Sequence, residues 1–203
     1  MKKNILTTLV LFFLFEHLIC LGQTKDSSKA ESLFSESSSM HYVTRYGIQF
    51  TPIQNQVAGM IGLSSGVYFN QSFFVGLSGY VNLTHSKVNT GAFGVEAEYS
   101  FNSEKLVHLG FNIFAGVGTV KDYRTKNNLL DNFFNIFGTN YFFVQPSLIL
   151  EINFTPTTRL AFGLGYKMVS GLDENSSEIS ITKLKNQDLN NVAMFVNLKM
   201  LSF

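Results

Sequence analysis

Phe93-Gly94-Val95-Glu96-Ala97-Glu98-Tyr99-Ser100-Phe101 decides how this chain is to be understood. Side chains alternate across an extended strand, so Phe93, Val95, Ala97, Tyr99 and Phe101 share one face while Glu96 and Glu98 share the other. One wall of the segment is apolar and the opposite wall is charged. A helix would mix the two sets around its circumference.

The same rhythm recurs on both sides. Upstream, residues 41–51 set Tyr42, Tyr46, Ile48 and Phe50 against Arg45, Gly47 and Gln49. Residues 57–69 set Ile61, Leu63, Val67 and Phe69 against Gly62, Ser64, Gly66 and Tyr68, and residues 73–83 set Val75, Leu77, Val81 and Leu83 against Gly76, Ser78, Tyr80 and Asn82. Downstream, residues 107–119 oppose Val107, Leu109, Phe111, Ile113, Ala115 and Val117 to His108, Gly110, Asn112, Phe114, Gly116 and Gly118. Residues 141–154, 159–169 and 192–203 complete a predicted set of eight strands. Pro146 lacks an amide hydrogen, which predicts a bulge or local break in the sixth.

Connection lengths test this pattern independently. The turns near Gln71, Ser103 and Pro156 are tight, whereas about Lys121 to Asn140 and about Ser170 to Asn190 are long. Short turns at one end and long loops at the other are the asymmetry of outer-membrane barrels. The connection near Gln54 is short and fits less well.

Which row faces outward follows from size and charge. Bulky Phe, Leu, Ile and Val fill one row, while Gly, Ser, Asn and the charged residues dominate the other. An eight-stranded barrel is barely wide enough for its side chains, so small residues suit its interior. Arg or Lys on a lipid-facing wall near the midplane costs about 2–4 kcal/mol, which explains their absence from the bulky row. A soluble barrel would reverse the two rows. Arg45, Lys167 and Lys199 then share a confined interior with Glu96, Glu98 and Glu151. Buried charges need partners, so a salt-bridged plug is expected there, with an ion pathway along the same groups as the competing reading. Tyr42, Phe69, Phe73, Tyr99, Phe101, Phe154 and Tyr166 sit near strand ends, where interfacial aromatics belong, and the chain has no Trp.

The N-terminus reads as an export signal. Lys2 and Lys3 precede an apolar run from Ile5 to Phe15, too short to span a bilayer as a helix, and Cys20-Leu21-Gly22 offers small residues for cleavage before Gln23. Residues 23–40, rich in Ser, Lys and Glu, read as a flexible periplasmic segment. Removal of Cys20, the single cysteine, would exclude disulfides and thiolate chemistry from the mature chain. A formal net charge of +1 gives no bulk attraction for nucleic acid.

Val107-His108-Leu109-Gly110-Phe111 with Gly116-Val117-Gly118, Phe143-Val144-Gln145-Pro146-Ser147-Leu148, and Gly163-Leu164-Gly165-Tyr166-Lys167 resemble segments of the small outer-membrane β-barrel proteins of Gram-negative bacteria, the porin-family or outer membrane protein β-barrel domain family. The resemblance covers about Tyr42 to Phe203 and implies fold and location without an established activity. Terminal Phe203 looks like the C-terminal aromatic read by the barrel-assembly machinery, although it shares the phase of inward Lys199 rather than the lipid-facing row.

Little in the chain reads as catalytic. His85-Ser86 is the nearest approach to a hydrolase pair, but adjacent strand residues point to opposite faces and cannot share a proton. His108 is expected to be a hydrogen-bonded lumen residue. Asp173, Glu174 and Glu178 read as a solvated acidic loop, since a hard cation needs several converging oxygens. Leu129, Leu130, Phe133, Phe134, Ile136 and Phe137 form an apolar stretch in an external loop, either a patch for a partner or an extension of the flanking strands.

The expectation is an all-β chain: a signal peptide over residues 1–22, a periplasmic segment over 23–40, and an eight-stranded antiparallel up-and-down transmembrane β-barrel over 41–203 in the cell outer membrane. Its expected role is structural or surface-interactive through the external loops. The alternative is a narrow porin-like channel for small solutes or ions. No enzymatic activity, cofactor, metal or nucleic acid is expected. The expected partners are outer-membrane lipid, the barrel-assembly machinery during insertion, and an unspecified surface protein or ligand.

Overall fold

The computed structural model describes residues 40–54, 56–83, 88–122, 139–172 and 184–202. Eight strands run in sequence order: β1 (Met40–Ile53), β2 (Gln56–Phe69), β3 (Phe73–Asn82), β4 (Val88–Phe101), β5 (Val107–Asp122), β6 (Thr139–Thr155), β7 (Thr158–Ser170) and β8 (Asn191–Ser202), with one helical turn, α1 (Asn186–Leu189), before β8. Each strand is antiparallel to the next, and β8 returns to β1 from Tyr42–Ser202 to Phe50–Met194, closing the barrel. Closure leaves no sheet edge with unpaired backbone groups.

Alternation orients the wall as the two rows predict, except at Val81 of the outer row, which is buried near the end of β3. Leu109 is 61% and Leu148 68% exposed, whereas Arg45 is 1% and Glu151 and Lys199 are 0% exposed. Phe93, Val95, Tyr99 and Phe101 of β4 face out, and Glu96, Glu98 and Ser100 are buried inside. Such an apolar wall is the surface of a transmembrane barrel, because water would leave it as a large unsatisfied patch and lipid would not. Tyr42, Phe73, Tyr99, Phe101 and Phe154 form an exposed aromatic band at the short-turn end. Phe50, Phe142 and Tyr166 are exposed toward the long-loop end.

Four local features add detail to this pattern. β4 begins at Val88, earlier than the pattern around Phe93 predicts, because its ladder with β5 continues to the pair Val88–Asp122. At Pro146 the β6–β7 pairing skips Gln145 and Pro146 and resumes in the same register at Ser147–Gly165, so the expected irregularity is a break without a bulge. The register shift in this ladder lies between Asn153 and Thr155. The β2–β3 turn places Asn70 and Gln71 at φ of 50° and 56°, and the Ser72 amide donates to the Phe69 carbonyl at 3.1 Å. Positive φ at both central residues matches the twist of a two-strand hairpin.

The interior is more aromatic than a small-residue rule allows. Phe74, Tyr141 and Phe143 are buried within it alongside Tyr68, Tyr80, Phe114 and Phe195. Glycines on neighbouring strands make the room. A side chain added at Gly62 would land on the Tyr80 ring, at Gly118 on Tyr141, and at Gly163 on Phe195. These three glycines are thus seats for rings rather than spacers around an open bore.

The expected leader and periplasmic segment up to residue 39, the His85-Ser86 pair, the apolar stretch Leu129–Phe137, the acidic Asp173, Glu174 and Glu178, and terminal Phe203 lie outside the described residues. On β8 the inward row continues through Lys199 to buried Leu201, with Met200 and Ser202 outward.

Candidate functional site

The lumen is filled in layers, which β1 reads out in order through Val43, Arg45, Gln49 and Ile53. At the short-turn end Val43, Tyr68, Phe74 and Leu201 form an apolar cluster. Next comes an ionic layer. Arg45 Nη1 lies 3.0 Å from Glu96 Oε1 and 3.0 Å from Glu98 Oε2, and its guanidinium sits 3.4 Å from the Phe74 ring centroid. Lys199 Nζ pairs with Glu98 Oε1 at 2.5 Å and also with Glu151. The Tyr68 hydroxyl donates to Glu98, and Ser78 donates to Glu96, which also receives Asn112 Nδ2 at 2.5 Å.

Of the six residues expected to share this network, five do: Arg45, Glu96, Glu98, Glu151 and Lys199. Lys167 does not. It lies nearer the long-loop end of β7, opposite Asn191 of β8, with its ammonium 5.5 Å from the Phe143 ring centroid. Sharing the inward phase was not enough, because β7 rises past the ionic layer before it reaches residue 167.

Two basic residues join that the charge count alone did not bring in. Arg159, at the start of β7, approaches Glu151 at 3.8 Å and donates to the Gln71 carbonyl at 3.1 Å, tying the β2–β3 turn across the lumen. Its phase, two residues before Ala161 and eight before Lys167, is the signal that marks it as inward. His108, expected as a lumen residue, places Nε2 2.7 Å from Glu151 Oε2 and Nδ1 3.1 Å from the Lys105 carbonyl. Arg45, Arg159 and Lys199 therefore balance Glu96, Glu98 and Glu151 one for one, with His108 at the edge.

Above the ionic layer, the Gln49 and Gln145 amides exchange hydrogen bonds of 3.4 and 3.3 Å across the lumen. An apolar cluster follows, in which Tyr80, Phe114, Tyr141 and Phe143 meet Leu172, Leu184 and Leu189. The Phe114 and Phe143 rings are edge to face at 4.7 Å. Side-chain bonds tie α1 to the end of β7: Asn190 Oδ1 accepts the Val169 amide at 2.5 Å and Asn186 Oδ1 accepts the Leu172 amide at 3.2 Å. Leu184 and Leu189 are thereby buried at the long-loop end. Among the described residues, no group of three or more His, Cys, Asp or Glu is placed to hold a metal ion.

No family model and no curated protein matches the chain. Among solved structures it is similar to Neisserial surface protein A, at 14% identity and a TM-score of 0.48, over 82% of this chain and 98% of that one. It is also similar to Ail, the attachment invasion locus protein of Yersinia pestis, at 14% identity and a TM-score of 0.47, over 83% of this chain and 100% of that one.

Proposed function

We propose that the protein is an integral outer-membrane barrel whose lumen is a plug, and that it acts as a structural or surface-interaction protein through its external connections. The short turns then face the periplasm and the long connections face outward. The observation that carries this reading is the ionic layer. Side chains from β1, β4, β5, β6, β7 and β8 meet within it, and apolar clusters lie on both sides. An ion crossing such a lumen would have to displace carboxylates and cations that already satisfy one another, then pass closely packed rings.

Planar-bilayer recording on the purified protein tests the proposal. The expected trace is flat at physiological salt, and neutralising Lys199 should not open a steady conductance because the aromatic cluster remains. A sizeable, steady conductance of the unaltered protein would replace the plug with the narrow-channel reading.

A further inference from the structure

We propose that Lys167 holds a small monovalent anion in the outer half of the lumen. The other buried cations of the lumen show what this chain does with such groups. Arg45, Arg159 and Lys199 each reach a carboxylate. Lys167 is equally enclosed, at 4% exposed, yet no carboxylate among the described residues pairs with it. Among the described residues its ammonium meets the face of Phe143, and a ring face offsets only part of the loss of water around an ammonium. No hydrogen bond joins the ammonium to an acceptor among the described residues.

Two further features surround the same place. The β6–β7 ladder is interrupted at Gln145 and Pro146, which stand opposite Lys167 and Tyr166 in the register set by Val144–Met168 and Ser147–Gly165. The wall is therefore loosened beside the ammonium. Gln145 is held to Gln49 only by the long amide pair at 3.3 and 3.4 Å, so an amide N–H can turn toward an anion without leaving a strong partner. An ammonium and an amide suit one negative charge on a compact group, such as a carboxylate. A single cation does not suit a multiply charged group, whose remaining charge would be buried uncompensated.

The test uses the full protein folded in detergent micelles, with formate as the compact anion and gluconate as the bulky one at matched ionic strength. Urea unfolding is followed by the shift between folded and unfolded bands in unboiled gels. Ligand linkage predicts that the unfolding equilibrium constant falls about tenfold when formate reaches roughly ten times its half-saturating concentration, and goes on falling in proportion to formate beyond it. Gluconate should give no such concentration-dependent fall. Lys167→Met should remove the formate response while leaving a folded barrel, and Lys167→Gln supplies the same comparison should the methionine variant not fold. Equal responses of the wild type to formate and gluconate would overturn the proposal, as would a formate response that survives loss of the lysine.

Discussion

Lys199→Met is the sharpest probe of the ionic layer. The lysine is completely buried and its ammonium joins two carboxylates, Glu98 at 2.5 Å and Glu151, while donating to the Tyr68 oxygen at 3.3 Å. Methionine keeps most of the side-chain volume, so the cavity term is small and the electrostatic term dominates. Glu98 would retain Arg45 at 3.0 Å, but Glu151 would be left with His108, the Ser100 hydroxyl at 3.1 Å and the more distant Arg159. Removing one partner of a buried pair costs about 3–5 kcal/mol, because the other charge stays buried without compensation. At about 1.4 kcal/mol per tenfold, that is a rise of at least a hundredfold in the unfolding constant. Urea unfolding in micelles measures it. Glu151→Gln in the same background tests the mechanism, since the double variant removes both the ammonium and one of the charges it served. Its destabilisation should fall short of the sum of the single effects by about 0.5–3 kcal/mol. Additive losses, or a Lys199→Met barrel within about 0.5 kcal/mol of wild type, where ordinary surface substitutions fall, would refute the account of the layer as mutually dependent charges.

Depth on the outer wall should control the cost of a charge. Val95→Arg, near the middle of β4, is expected to destabilise the barrel in a bilayer by about 2–4 kcal/mol, whereas Phe101→Arg at the strand end should cost roughly 0–1 kcal/mol for the charge itself. Equal losses in lipid-vesicle refolding would contradict the proposed belt. Gly163→Ala should cost about 1–3 kcal/mol, because the added methyl meets the Phe195 ring and the core must shift. Phe195→Leu in the same chain should recover part of that loss in the unfolding midpoint, and an unchanged deficit would show that the ring is not what excludes the methyl.

The fold was legible because its cause is periodic. One nine-residue segment distinguishes a strand from a helix, and the repeat of bulky against small rows distinguishes lipid outside from lipid inside. Phase also delivered most of the ionic layer, since Arg45, Glu96, Glu98, Glu151 and Lys199 all lie in inward rows. It could not deliver height. Whether an inward charge meets another depends on how far each strand has climbed, which is set by pairing register between strands distant in sequence. Lys167 and Arg159 share a strand and a phase, yet the structure puts only Arg159 beside Glu151. The inward aromatics were obscured for a related reason. Phe143 and Tyr141 sit in a stretch, Tyr141-Phe142-Phe143-Val144, that is apolar on both faces, so alternation alone assigns no contrast there. The contrast lies on the neighbouring strand, where Gly118 opposes Tyr141 and Gly116 opposes Phe143.

The charged layer also bears on why one pairing register is kept. Because the side-chain period of a strand is two, a slip of one residue exchanges its faces completely. For β4 such a slip would turn Glu96 and Glu98 out into hydrocarbon and bring Phe93, Val95 and Tyr99 into a lumen already filled by Phe74, Tyr68 and Phe114. A slip of two residues restores the faces but not the heights: Glu98 would take the level of Glu96 or Ser100, and its contacts with Arg45 and Lys199 would break together. Apolar rows by themselves penalise the first error and barely notice the second, since one aliphatic residue in lipid is much like another. The ion pairs penalise both. On this physical ground the layer stabilises the barrel less by its net energy, which desolvation largely cancels, than by making every neighbouring register worse than the one observed.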